Sequence, residues 1–132
     1  MGGIPWEYFV PHEPDIRSAL AKLQQRELIA GRFRGAELLP ATKEKAVANS
    51  GESGTASILD MEGVSLGRTF LFVSPLDDSD LIRFFGTTRP TRKEITDHPE
   101  CFEELDRGEG IYVVVYNDNE PSEIYFGGYS VD

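Results

Sequence analysis

The sequence predicts an α+β domain in which an antiparallel sheet ends in a C-terminal hairpin and the helices pack on one face of it. Three observations predict this fold. Apolar residues recur at intervals of three and four after Pro14, which is typical of an amphipathic helix. A second helical region follows the acidic cap at Asp77. Two apolar runs rich in tyrosine close the chain on either side of the turn residues 117–121.

The first elements are a strand and a long helix. Residues 6–10 are aromatic and β-branched and stop at Pro11, which favours a short strand near a sheet edge. The helix follows with Pro14 in its first turn and ends at Gly31. Glu27 is the only polar residue on its apolar stripe.

The middle of the chain is less regular. Residues 41–49 fit a short helix, and residues 49–54 are predicted to form a loop. Residues 57–61 and 70–73 are predicted to be two short strands. The acidic cap then starts a helix that ends at Gly86.

The last third combines a further helix with the hairpin. Thr91 and Glu94 have the spacing of a capping box, and a short turn is expected around residues 101–105. Residues 111–116 are apolar on both faces, which predicts a central strand. Residues 124–129 form its partner, and the glycine pair within them permits a bulge.

The charge of the chain excludes some classes of partner. Its 132 residues carry a net charge of −10, and all of the excess follows residue 50, where six Lys and Arg face seventeen Asp and Glu. Because a phosphate backbone requires clustered cations, nucleic acid is not expected as a partner. No apolar run approaches the roughly 20 residues that cross a membrane, so no membrane association is expected.

Neither a metal site nor a catalytic group is predicted. His98 and Cys101 lie one helical turn apart, but Pro99 disturbs that turn and only His12 remains as a further nitrogen ligand. We also find no nucleophile elbow and no phosphate-binding loop. We therefore expect no metal, no cofactor and no catalytic residue, although the question of enzymatic activity stays open. A single cysteine and a start without a signal peptide favour one cytoplasmic domain over residues 1–132.

The one basic cluster in the acidic part is a candidate anion site. Arg89, Arg92 and Lys93 lie where a helix begins, where three cations and free backbone amides can hold a phosphate or a carboxylate. The alternative is that Arg89 and Arg92 pair with neighbouring acids such as Asp97 or Glu94 and only fix the loop.

The aromatic residues of the hairpin are candidates for protein binding. Tyrosine is favoured where one end of a side chain is apolar and the other is wet, as at interfaces. The tyrosines that the hairpin brings together are Tyr112, Tyr116, Tyr125 and Tyr129.

Several segments resemble a small bacterial family of stand-alone domains with no assigned function. They are WEYFVP at residues 6–11, SILD at 57–60, SPL at 74–76, FGTTRPT at 85–91 and GIYV at 110–113. The resemblance implies a compact single domain and carries over no catalytic residue.

These observations lead to two hypotheses of different classes. The first is a non-enzymatic acidic domain that binds another protein with a basic surface, one form being an inhibitor or immunity-type protein. The alternative is a small-molecule anion binder or enzyme that uses a pocket near residues 89–93. The sequence does not predict the oligomeric state.

Overall fold

The fold is described by a computed structural model that covers residues 3–132. It contains five β-strands and four α-helices in that range. The strands are β1 (Pro5–Pro11), β2 (Gly63–Val64), β3 (Phe72–Pro75), β4 (Gly110–Asn117) and β5 (Glu120–Tyr129). The helices are α1 (Ile16–Ala30), α2 (Lys43–Ser50), α3 (Asp78–Phe85) and α4 (Arg92–Asp97), with a 3₁₀ segment at Pro99–Glu104. None of the helices within this range has the length and apolar character needed to span a bilayer.

The strands form one mixed sheet in the order β1-β5-β4-β3-β2. The α+β class and the C-terminal hairpin are confirmed: β4 and β5 pair antiparallel, and β1 pairs antiparallel with β5. The other two pairings are parallel. A loop carries the chain from the end of β2 back to the start of β3, and α3 and α4 carry it from the end of β3 back to the start of β4. The predicted sheet was antiparallel throughout, since a crossover of this kind leaves no local pattern.

The hairpin turn has the conformation that its residues favour. Asp118 and Asn119 connect β4 to β5 with φ angles of 51° and 65°. Positive φ at both central residues is the geometry of a type I′ turn, which Asn and Asp tolerate better than other non-glycine residues. The glycine pair of β5 stays in register, so the bulge that it permits does not form there. The register shifts instead where Val115 pairs with Glu123 and Tyr116 with Pro121, which leaves Ser122 of β5 as the extra residue.

Both faces of the sheet are covered, so the prediction that helices pack on one face was wrong. Alternate residues of β4 and β5 point to opposite faces, and Phe126 and Tyr125 accordingly belong to two different apolar clusters. The first cluster contains Leu20 and Leu23 of α1. The second contains Phe85 of α3 and three later residues, Ile95, Cys101 and Leu105. The continuous apolar run of β4 follows from this burial on both sides.

The buried acid on α1 is neutralised locally. The Glu27 side chain is 2% exposed and accepts hydrogen bonds from Arg32 Nε at 2.9 Å and Arg32 Nη2 at 2.8 Å. Arg26 Nε donates a third bond at 3.0 Å. These donors, above all Arg32, lower the pKa of the Glu27 carboxyl. A charged residue therefore lies on the apolar stripe without leaving a buried charge unpaired.

Residues 57–61, predicted to be a strand, form a 3₁₀ turn at Ile58–Asp60. The Ser57 hydroxyl accepts a hydrogen bond from the amide of Leu59 at 3.2 Å, which caps the turn. Ile58 and Met61 pack in the same cluster as α1, and Leu59 is buried as well. Residues 57–61 are mostly apolar because helices surround the turn that they form.

Candidate functional site

A cavity of about 740 Å³ lies between α2, the 3₁₀ turn and the loop that precedes β3. Its walls include the apolar side chains of Val47, Leu59, Leu71 and Val131. Phe70 also lines it, and more than half of the Phe70 side chain is exposed. An open, mostly apolar concavity of this volume is the usual form of a small-molecule site.

The cavity wall is also strongly acidic. Four carboxylates line it against one ammonium group, that of Lys43. Lys43 Nζ donates to Met61 O at 2.8 Å and to Gln24 Oε1 at 3.4 Å, so its charge is held by neutral acceptors of the chain. The lining carboxylates belong to Glu44, Glu52, Asp60 and Glu62.

A buried polar network supports the wall of this cavity. Thr55, Ser57 and Asp60 are at most 5% exposed. The amide and the hydroxyl of Thr55 both donate to Asp60 Oδ1, at 2.7 Å and 2.8 Å, and the hydroxyls of Thr55 and Ser57 lie 2.8 Å apart. The carboxylate of Asp60 is therefore oriented by fixed donors on one side only.

The second oxygen of this carboxylate has no donor within residues 3–132. A Cβ atom on Gly54 would lie 2.8 Å from Asp60 Oδ2 and 2.6 Å from Val131 Cγ2, so the chain passes too close for a larger residue. Burial raises the pKa of the Asp60 carboxyl, and the bonds from Thr55 oppose that shift.

The backbone around the cavity is strained as well. Leu71 in its wall has φ of 68°, and Ala56 beside the polar network has φ of 55°. Neither residue has the side-chain chemistry that eases the left-handed region, so each conformation is held by its surroundings.

Sequence reasoning did not find this site, although one signal for it was present. Ser57 and Asp60 have the S-x-x-D spacing that starts a helical turn, and the strand interpretation ignored it. No local pattern could show that α2 and Phe70, far apart in the chain, would face this turn.

The basic cluster predicted as an anion site is engaged within the chain. Arg89 Nη1 donates to Asn119 Oδ1 at 3.0 Å, and its guanidinium lies 5.6 Å from the centre of the Tyr116 ring. Arg92 lies 4.2 Å from the Phe9 ring centre, with Nη1 3.4 Å from Glu123 Oε2. The three cations therefore do not converge on one point.

Lys93 pairs with Asp97 one turn along α4. It also lines a smaller cavity of about 460 Å³ together with Arg92, Tyr116 and Glu123. Two cations thus meet a cavity, but a carboxylate shares it and one of the cations already pairs with that carboxylate.

The four tyrosines predicted as a binding surface are divided between the two faces of the sheet. Tyr125 is 1% exposed and belongs to the second apolar cluster, which corrects its assignment to an exposed surface. Tyr129 packs against that same cluster, edge-on to Phe102. Tyr112 packs against the first cluster. Tyr116 is partly buried beside Arg89. Strand alternation places neighbouring side chains on opposite faces.

Exposed acidic residues are concentrated in one part of the chain. We call the outer surface of α3, α4 and the segment at residues 97–109 the acidic layer. Residues 77–109 hold ten Asp and Glu against five Lys and Arg. The side chains of Asp78, Glu103 and Asp106 are exposed, and no ion pair to them forms within residues 3–132. Glu104 and Asp80 pair with Arg83.

The remaining reactive side chains do not form a centre. Cys101 is a free, buried thiol, and burial raises its pKa to about 11, which suppresses the nucleophilic thiolate. His98 lies on the surface with its Nδ1 3.7 Å from Glu100. Across residues 3–132, no three His, Cys, Asp or Glu side chains are grouped as metal ligands.

Comparison with protein-family models, with curated proteins and with solved structures gave no match to this chain.

Proposed function

We propose that this chain is a non-enzymatic binding domain whose acidic layer docks on a basic surface of another protein. One observation carries the proposal: across residues 3–132 no ion pair forms to the exposed Asp78, Glu103 and Asp106, whereas Arg89 and Arg92 are engaged within the chain. Arg107 is exposed in the same layer, but the ten Asp and Glu of residues 77–109 outnumber the five Lys and Arg, so the net charge presented to a partner is negative. An inhibitor or immunity-type protein is one form that such a domain takes.

An exposed apolar residue accompanies these carboxylates. Ile82 on α3 is 56% exposed and lies one helical turn after Asp78, on the same side of the helix. Interfaces combine a buried apolar anchor with a polar rim. Ile82 supplies the anchor and the neighbouring carboxylates supply the rim.

The net charge supports the same partner chemistry. A domain with a net charge of −10 attracts a basic protein over distances of about 10 Å at moderate salt and repels nucleic acid. We propose that this encounter takes place in the cytoplasm, with which the single buried thiol is compatible.

The test uses the immobilised chain and lysate of the cells in which it is native. The variant combines Glu100→Gln, Glu103→Gln and Asp106→Asn in the acidic layer. Its matched control combines Glu7→Gln, Glu37→Gln and Glu52→Gln, three exposed acids outside that layer. Both triple variants change the net charge equally, so a difference between them reports the location of the charge.

The proposal predicts a basic protein that is retained at about 50 mM salt and released at about 500 mM salt. The acidic-layer variant is expected to bind it roughly tenfold more weakly, and the control variant less than threefold more weakly. Ile82→Ala is expected to speed dissociation. Equal losses in the two triple variants, or retention that does not depend on salt, would overturn the proposal.

The second candidate function is the binding of a small anion in the cavity beside Arg92 and Lys93. It is favoured by the volume of about 460 Å³ and by the two cations in its lining. Phosphate and small carboxylates are then expected to raise the melting temperature of the chain but not that of Arg92→Gln. If no anion in such a screen raises the melting temperature, this function is excluded.

A further inference from the structure

The cavity between α2 and the loop before β3 has the form of a binding site and is separate from the acidic layer. Its volume of about 740 Å³ is within the usual range for sites of drug-sized ligands. Its lining residues lie between positions 43 and 71, together with Val131 near the C-terminus.

The apolar walls of the cavity indicate that one part of the ligand is apolar. Val47 on α2, Leu59 on the 3₁₀ turn and Leu71 face the cavity. Phe70 also lines it, and its ring is 56% exposed. An apolar body placed there would bury its own surface and part of Phe70, which is favourable by about 25 cal/mol for each Å² removed from water.

The acidic residues of the cavity indicate that another part of the ligand is positively charged. Glu44, Glu62 and Glu52 are exposed residues of the lining, and Asp60 is 5% exposed. The cations nearby are held by other groups: Lys43 by Met61 O, and the guanidinium of Arg34 by Asp132 Oδ2 at 2.8 Å. A positive group in the cavity therefore meets an excess of negative charge.

Asp60 is the buried residue that contributes to the excess of negative charge at the cavity. Its Oδ1 accepts two bonds from Thr55, while its Oδ2 has no donor within residues 3–132. A carboxylate in this buried position attracts a cation in the cavity through its charge, because less water screens it than a surface acid. The charge of Arg34 opposes part of that attraction.

We propose that this cavity binds a small organic cation, a protonated amine or amidinium carried on an apolar body about the size of one ring. The apolar body packs between Val47, Leu71 and Phe70. The cationic group lies against the exposed carboxylates of Glu44 and Glu62, and the charge of the buried Asp60 carboxylate behind the wall adds to the attraction.

The test is an NMR titration of the isotope-labelled chain with phenethylamine. Phenethyl alcohol and phenylacetate serve as the neutral and anionic probes of similar shape. Phenethylamine is expected to shift the amide signals of Ala48 and Leu59 and to leave that of Tyr112 in place. The alcohol is expected to bind at least about tenfold more weakly, and phenylacetate not at all.

Two kinds of variant locate the binding. Glu44→Gln combined with Glu62→Gln removes charge without touching the core and is expected to weaken phenethylamine about tenfold. Ala48→Trp fills the cavity from an exposed position on α2, and Ala30→Trp places the same side chain on α1 outside it. Only Ala48→Trp is expected to abolish the shifts.

Several results would overturn this inference. They are equal binding of phenethylamine and phenethyl alcohol, preferred binding of phenylacetate, shifts outside the cavity, or unchanged binding in Ala48→Trp. Glu44, Glu62 and Ala48 are exposed rather than core residues, so these variants test the binding without removing a buried side chain.

Discussion

Gly128→Ala is expected to destabilise the chain, because an indole and a neighbouring backbone occupy the space that a side chain would need. Gly128 lies in one row of the sheet with Trp6 and Gly110. A Cβ atom on it would come within 2.5 Å of Glu109 O and 2.6 Å of Trp6 Cζ2. Ordinary contacts are about 3.5 Å or longer, so the strands must separate or the indole must move.

The magnitude follows from the kind of contact. Overpacking typically costs about 1–3 kcal/mol, and a backbone oxygen yields less readily than a flexible side chain. We therefore expect a loss of about 2 kcal/mol in the free energy of unfolding and a melting temperature lower by roughly 8 °C. The control is Gly67→Ala, whose Cβ would meet nothing within 4 Å and whose φ is not positive. It is expected to be neutral or stabilising by up to about 1 kcal/mol.

The assay is urea denaturation at 25 °C followed by circular dichroism and by the fluorescence of Trp6, the only tryptophan. The midpoint should fall in Gly128→Ala with an unchanged slope. Trp6→Leu combined with Gly128→Ala should cost less than the sum of the two single variants, because the shorter side chain frees space. Equal midpoints for Gly128→Ala and Gly67→Ala would refute the packing argument.

Three further predictions concern single groups. Burial raises the pKa of Asp60 above 3.8, so the ionisation of Asp60 destabilises the fold as the pH rises through that raised value. In urea denaturation, Asp60→Asn should therefore gain stability relative to the parent chain between about pH 3 and pH 7. Parallel pH profiles of the two proteins would contradict this. The Cys101 thiol has a pKa of about 11 and is 3% exposed, so it should react with a disulfide reagent only when urea unfolds the chain. Labelling of the native chain at the rate of a free thiol would contradict this, because it would show that the Cys101 thiol is accessible. Thr91→Ala removes both hydroxyl contacts of the capping box on α4 and should lower the free energy of unfolding by about 1 kcal/mol in the same denaturation assay. The control is Thr96→Ala on the exposed side of that helix, which should have little effect.

Elements with a local cause can be predicted from the residues alone. The helix after Pro14, the capping box at Thr91 and the hairpin turn at residues 118–119 each depend on residues within a few positions of one another. The concentration of negative charge after residue 50 is likewise a property of composition. These features can be predicted from one chain because the interactions that stabilise them have no distant partner.

Features that require distant contacts could be found only in the folded chain. The parallel pairing of β3 with β4, the helices on both faces and the 3₁₀ turn at Ile58–Asp60 depend on segments far apart in the chain. The same holds for the candidate sites: Arg92 meets Glu123 and Phe9, and the cavity beside Asp60 joins α2 to Phe70 and Val131. A local pattern states that a residue is apolar or charged. Which residue it meets is decided by the packing of the whole chain, since burial and pairing are properties of the folded surroundings.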